Sequence, residues 1–407
     1  MKKFNKYNIV TSVASRLLPL VMSKNTILAT NLIVTNKLEN TKNNKLINTG
    51  TTGGTATPSK GLSSLNLSYR GYATTSNNLN IFPSYISGLT QTDGTFFCGI
   101  SVHKTNKGET LRFTPTFAIS TDLDSIDVLE KIKDYFGCGF ITINNSDHSA
   151  QFNVKNRKDL TNIIVRHFNT NPVFFDKLHA FNIFFNILNK LSDGKRKRSN
   201  AELNELIKLA ISMNVATRRS EASLIKYCKV IELENIPTKY PNEITPMATE
   251  LKPGFLIGMI DGDSSFNITF TGQGKIVPAF SICIGSTCLP LLEEIKKFIG
   301  NKGSLEKRQK PTSLDFIYVY KITDTECLLK YIIPLMDGSQ LYTEKAIHYK
   351  IWKDVINKVK NKALTKTLIL EIVEMAYNMN KNGKRRKINK EEYIKLIHKL
   401  FPNTDKL

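Results

Sequence analysis

Two stretches of this 407-residue chain share a short pattern that closes on an aspartate. Ile86-Ser-Gly-Leu-Thr-Gln-Thr-Asp-Gly-Thr-Phe96 recurs as Leu256-Ile-Gly-Met-Ile-Asp-Gly-Asp-Ser-Ser-Phe266. Each reads as a short apolar helix with a carboxylate at its C-terminal end, Asp93 in the first copy and Asp263 in the second. Gly88 and Gly258 fall mid-helix, where glycine costs about 1 kcal/mol relative to alanine. Small residues such as Ser87 and Gly88 allow close backbone approach, so the two helices can pack on each other and bring Asp93 and Asp263 together. A helix C-terminus already carries partial negative charge. Two carboxylates added there form an anionic cluster that calls for a divalent cation, and oxygen donors with open water positions favour Mg2+. Metals that bridge an attacking water and a departing oxygen are a general route to phosphodiester hydrolysis.

The elements that must position these acids repeat with them. Pro115-Thr-Phe117 answers Pro278-Ala-Phe280, and the intervals from Phe117 to Leu129 and to Gly137 equal those from Phe280 to Leu292 and to Gly300. Asp93 to Phe117 is 24 residues whereas Asp263 to Phe280 is 17, an insertion near His103–Arg112 that reads as a longer hairpin loop. Each copy opens with its motif helix, about Ser84–Asp93 or Pro253–Asp263. Two strand-like runs follow, Thr95–Val102 with Thr116–Thr121 and Ser265–Thr271 with Ala279–Ile284. Next come an amphipathic helix (Ser125–Phe136 or Leu289–Ile299) closed by a glycine turn, a second strand pair and a final helical stretch. The expected architecture is α+β, two tandem αββαββα repeats. Residues 81–192 form the first repeat, 193–252 a helical linker, 253–380 the second repeat and 381–407 a basic C-terminal appendage.

Composition narrows the partner. Lys+Arg 57 against Asp+Glu 35 leaves a formal charge of +22, a field that points to a polyanion. Six cysteines form no CxxC pair and no regular framework, which argues against a disulfide scaffold or a thiolate zinc site. No apolar run approaches the roughly 18 residues needed to cross a bilayer as a helix. Residues 1–80 hold eight lysines, Arg16 and Arg70 against the single acid Glu39, with a Gly/Thr-rich stretch from Gly50. This extension reads as mostly disordered, either a mitochondrial transit sequence, a solvated basic arm or upstream coding read-through. Arg70-Gly-Tyr-Ala-Thr-Thr resembles the cleavage region of fungal mitochondrial presequences. The Asn-, Lys- and Ile-rich composition fits an AT-rich organellar gene and hence a mitochondrial location.

The repeated motif resembles the signature of the LAGLIDADG homing endonucleases, and two copies imply the single-chain, pseudo-dimeric type. The resemblance spans roughly residues 81–390. It implies a pseudo-twofold saddle with two four-stranded antiparallel sheets whose concave faces enter successive major grooves. It also implies metal-binding carboxylates at Asp93 and Asp263, backbone carbonyls of Thr92 and Gly262 offered to metal, and active-site lysines at Lys177 and Lys345. Gln91 stands where an acid is common, Ser264 replaces the closing glycine, and Thr121 and Ile284 occupy a position often polar in the family. Ile284 cannot hydrogen-bond, which would impair one half-site.

For DNA contact the strands offer Lys104, Arg112, Lys155, Arg157, Lys275, Lys307 and Arg308, with His103 and Lys107 near them. Strand alternation turns about half of such residues toward the core, so the set rather than any one member carries the expectation. Lys195-Arg-Lys-Arg198 and Lys384-Arg-Arg-Lys387 read as phosphate contacts. The six histidines lack metal-site company and read as surface or core residues. The leading function is a Mg2+-dependent, site-specific double-strand endonuclease that promotes intron mobility, acting as a monomer on a long, partly palindromic target. The alternative is an RNA-binding maturase that assists splicing of its host intron. A plain DNA-binding regulator has no use for the carboxylate pair.

Overall fold

The computed structural model describes residues 82–106, 108–194, 197–214, 219–241, 245, 247–309, 316–360, 364–379 and 388–402. The N-terminal extension, Lys107, Lys195-Arg196 and Lys384-Arg-Arg-Lys387 therefore lie outside the described residues. The first repeat runs α1 (Phe82–Asp93), β1 (Gly94–Thr105), β2 (Gly108–Asp122), α2 (Ile126–Phe136), β3 (Phe140–Asn144) and β4 (Ser149–Val154). A helical stretch α3 (157–170) and helix α4 (Phe175–Lys190) close it. After α5 (Asn200–Ser212) and α6 (Glu221–Val230) the order recurs. It runs α7 (Pro253–Asp263), β5 (Ser264–Phe270), β6 (Ile276–Gly285), α8 (Leu289–Phe298), β7 (Ser304–Gln309), β8 (Phe316–Ile322), α9 (325–337) and α10 (Lys345–Val359). Helices α11 (Lys366–Tyr377) and α12 (Lys390–Leu400) follow.

Each repeat builds one four-stranded antiparallel sheet, ordered β1-β2-β4-β3 and β5-β6-β8-β7. Alternation assigns the faces. Phe96, Cys98 and Ile100 pair with Phe117, Pro115 and Phe113 and point into the core, where Phe96 packs on Phe168 and Phe184. In the second sheet Phe266, paired with Phe280, packs on Tyr349 and Trp352. The opposite, more open faces carry the exposed Ser101 and Arg112 with the half-buried Thr95 and Gln151, or the half-buried Asn267, Ser281 and Lys321. Helix α2 explains itself: Val128, Leu129, Ile132 and Phe136 form its buried stripe, and Gly137 at φ 61° ends it in a left-handed turn.

Three features differ from expectation. The insertion in the first repeat is not a longer loop: Lys104↔Glu109 and Thr105↔Gly108 still pair, so the extra residues lengthen both strands. The linker, read from sequence only as helical, also packs on the first sheet. It covers the outer edge of β1, where Asn214 Nδ2 donates to Phe96 O at 2.8 Å, Tyr227 Oη donates to Ile100 O at 2.9 Å, and the Arg219 guanidinium donates to Cys98 O between them. Alternate edge carbonyls are thereby satisfied. Nor is the C-terminal segment an appendage. Ile369, Val373, Tyr377, Tyr393 and Ile397 form a second small core with Phe270 and Ile276, because α11 and α12 fold over the end of the β5–β6 hairpin.

Candidate active site

Helices α1 and α7 pack directly on each other, buried from Ser84 to Gln91 and from Gly254 to Asp261. A Cβ on Gly88 would collide with the carbonyl oxygen of Phe255, and one on Gly258 with that of Tyr85, so glycine is what lets the backbones touch. At the C-terminal ends a Cβ on Gly262 would meet the Thr92 hydroxyl and the Asp93 carboxylate. The close crossing therefore sets Asp93 against the second motif. Burial, then the Asp263 charge, pushes the Asp93 carboxyl up to about 7, while Lys345 and Lys177 pull it back. Burial likewise raises Asp263, again opposed by Lys345 and Lys177. Two carboxylates desolvated together and facing two ammonium groups form one coupled charged cluster at the helix ends.

The lysines stand at the starts of α4 and α10. Lys177 Nζ donates to the carbonyl of Gly94, one residue past Asp93. Lys345 Nζ donates to the carbonyls of Gly262 and, at 3.3 Å, Ile260. The Gly262 carbonyl expected to face metal thus already accepts an ammonium. Thr92 Oγ1 donates to Leu89 O at 3.0 Å. Burial lowers both lysine pKa values, and carboxylates oppose the shift: Asp176, Asp93 and Asp263 at Lys177; Asp93, Asp261, Asp263 and Asp122 at Lys345.

The sequence marks Gln91 as standing where an acid is common but gives that position no role; in the structure that motif position holds the lysines in place. Gln91 Oε1 accepts the Phe174 amide at 2.8 Å, and Gln91 Nε2 donates to Phe174 O at 3.2 Å. Asp261, at the same motif position, accepts the Tyr342 amide at 2.6 Å, the Thr343 amide at 3.2 Å and Tyr85 Oη at 2.6 Å. Phe174 and Tyr342 each lie three residues before their lysine, so one polar motif position anchors each lysine helix. The available signal was Asp261, a charged residue after the apolar run of α7, with Gln91 at the same motif position. His348, one turn beyond Lys345, lines the same cleft.

That cleft, about 1080 Å³, runs from Asp93 and Asp263 past Thr121 and Asp122 to Asn267 and Thr269 on the second sheet. Ile284 lies on the core-facing register opposite Tyr318 and is 9% exposed. Of the basic residues named from sequence, Arg112 (opposite Ser101) and Arg308 (opposite Ile317) fall on the open faces. Lys155 lies 5.4 Å above the ring of Phe140, and Lys275 sits in the β5–β6 hairpin. Lys104 shares its register with Ile100, and Lys307 lies 4.0 Å over Phe316, both on the helix-covered side. Arg157 is off the sheet and donates to Leu191 O at 3.0 Å. Arg198 pairs with Asp193 at 2.8 Å. Lys321, on the open face opposite Ser281 and Ser304, was not anticipated.

A pseudo-twofold pair of sheets with a carboxylate pair between them is the architecture of a site-specific DNA endonuclease. The chain belongs to the LAGLIDADG endonuclease family, whose model matches residues 86–188 and 256–356. It is 23% identical over 268 residues to a probable intron-encoded DNA endonuclease of Mycosarcoma maydis, covering 64% of this chain and 94% of that one. A probable intron-encoded endonuclease of Neurospora crassa is 27% identical over 304 residues, covering 72% of this chain and 64% of the relative. Among solved structures, I-GzeII in complex with its DNA target superposes with TM-score 0.62 at 26% identity, covering 74% of this chain and 99% of that one. I-LtrWI bound to target DNA matches in fold with TM-score 0.65 at 23% identity, covering 75% and 99%.

Proposed function

We propose that the protein cuts both strands of a specific DNA site, one phosphodiester per strand, with Asp93 and Asp263 as the metal-binding acids. The supporting observation is the buried carboxylate pair between α1 and α7, tied to Lys177 and Lys345 at the same helix ends. Among the described residues no three His, Cys, Asp or Glu side chains are placed together to hold a metal, so the two acids would share a cation with carbonyl, water and phosphate oxygens. That all-oxygen set fits a hard divalent cation, Mg2+ in the cell. When bound, the cation lowers the cost of charge on the attacking and departing oxygens. Lys177 and Lys345 hold positive charge beside the phosphate and steady the charge that develops there. Gln91 and Asp261 keep those ammonium groups from drifting.

The open sheet faces, with Arg112, Lys155, Lys275, Lys321 and Arg308, would lie in the major grooves, which admit a β-ribbon and display a distinct pattern for each base pair. Two unlike repeats in one chain supply both half-sites, so a monomer suffices and the target is only partly palindromic. The intron-encoded fungal relatives and the AT-rich composition support a mitochondrial, intron-homing setting. No observation favours the splicing reading: the relatives carry endonuclease names, and the DNA-bound neighbours share this fold.

Incubating the full chain and Mg2+ with mitochondrial DNA that lacks this gene tests the proposal. Discrete double-strand cuts, lost in Asp93→Asn and in Asp263→Asn, are expected. Cuts that survive either substitution would place the chemistry elsewhere, and no cutting with tight binding to the host intron RNA would reverse the assignment.

A further inference from the structure

Each lysine helix begins at a contact with the other repeat. Asp176, the residue before Lys177, accepts Thr287 Oγ1 at 2.9 Å and Cys288 Sγ at 2.7 Å. Both donors lie in the 3-10 turn Ser286–Cys288 that follows β6, so they belong to the second repeat. The equivalent positions also meet on the other side, through a backbone amide instead of a carboxylate. The amide of Glu344, the residue before Lys345, donates to Ser125 Oγ at 3.1 Å. Ser125 closes the turn Leu123–Ser125 after β2, in the first repeat. Ser125 and Cys288 stand equally far from Phe117 and Phe280, and are therefore equivalent positions. Two further facts run across the same boundary. Asp122, at the end of β2, acts on Lys345. Cys288 is 5% exposed, and burial followed by the Asp176 carboxylate pushes its thiol up to about 12, so it is a neutral S–H donor to Asp176.

We propose that these turns are crossed positioning devices: Thr287 and Cys288 set Lys177 through Asp176, and Ser125 sets Lys345 through Glu344. The inference rests on the endonuclease reading above. Its physical content is that β6 runs directly into Ser286–Cys288, so a shift of the β6 end reaches Asp176 through two hydrogen bonds and Lys177 through one peptide. A lysine misplaced by even 1 Å loses much of its effect on the reaction. Each strand's cut then depends on the opposite repeat as well as on its own. Such an arrangement ties cleavage to occupancy of both half-sites, which two independent half-enzymes could not do.

A strand-resolved cleavage assay tests this, using the full chain on a duplex labelled on each strand and bearing its cut site. Lys177→Met and Lys345→Met first identify which strand each lysine serves. Thr287→Val and Cys288→Ala should slow the Lys177 strand on the order of tenfold while leaving the Lys345 strand within about twofold. Ser125→Ala should give the reverse pattern, and Cys288→Ser, which keeps a donor, should recover most of the loss. In parallel, site-resolved acetylation without DNA should find Lys177, but not Lys345, more reactive in the Thr287 and Cys288 variants. Equal slowing of both strands, or unchanged lysine reactivity, overturns the crossing. Failure of the wild-type chain to cut overturns the endonuclease reading instead, and the acetylation pattern then decides the positioning by itself.

Discussion

At the scale of single residues, the site is built from groups that folding would avoid if stability alone mattered. Asp93 shares a desolvated cleft with Asp263, and its carboxyl sits at about 7. A carboxyl raised in the folded state stabilises the fold below its unfolded value near 3.8, and that contribution is lost as pH rises through about 7. At pH 8 without divalent cations, Asp93→Asn should therefore unfold later than wild type, by on the order of 2–4 kcal/mol. Adding Mg2+ should raise the wild-type midpoint and not the variant's, so scanning calorimetry with and without the ion checks both statements. His167 behaves oppositely. Ser87 Oγ gives its proton to Asn171 O at 2.7 Å, so it accepts from His167 Nε2, leaving Nδ1 to accept from Tyr135 Oη at 3.1 Å. Burial holds this neutral ring at about 4. Its contribution is complete above the unfolded value near 6.5 and is lost as pH falls toward 4. Between pH 7 and 5 the chain should lose about 2 kcal/mol from this residue. Urea unfolding of His167→Gln, compared with wild type at the two pH values, should show a flatter dependence; parallel curves would refute it.

At the scale of elements, the crossing of α1 and α7 decides whether a site exists at all. Both helices are buried along most of their length, and the polar residues Ser87 and Gln91 of α1 bond to protein rather than water, which suits helices inside a large core. Ala at position 88 or 258 adds only one methyl, yet that methyl meets a carbonyl of the partner helix rather than a yielding side chain. Gly258→Ala should destabilise by about 2 kcal/mol or more and separate the two acids. Its mark would be loss of cutting in the fraction that remains folded, read by thermal unfolding alongside the cleavage assay. A variant as stable and active as wild type would mean that the helices can slide apart without consequence.

At the scale of the whole molecule, the two repeats are alike in topology and unlike in reach. β1 has 12 residues and β5 has 7, and the β5–β6 hairpin is further covered by α11 and α12. Five extra strand residues at about 3.4 Å each span up to about five base pairs of rise. The first repeat should therefore protect DNA several base pairs farther from the cut than the second. Hydroxyl-radical footprinting measures that directly, and a symmetric footprint would show that α12 or the flanking basic segments extend the second half. With a formal charge of +22, affinity for any duplex should also fall steeply with salt.

The sequence by itself determined the repeat, its register and the acids at its two motif ends, because strand and helix periods are local and the motif was copied with its spacing intact. It also separated Lys177 and Lys345 from the other lysines once the family resemblance was drawn. Tertiary structure decided the rest. Whether Lys104 or Arg112 faces the groove depends on pairing register, which a one-residue slip would invert. That Gln91 and Asp261 anchor lysine helices more than 80 residues away, and that Cys288 bonds Asp176 in the other repeat, depends on how distant elements pack. The same holds for α12, whose burial of Tyr393 against Phe270 turns an expected tail into part of the core. Local periodicity sets which elements form; only packing between distant elements sets which side chains meet.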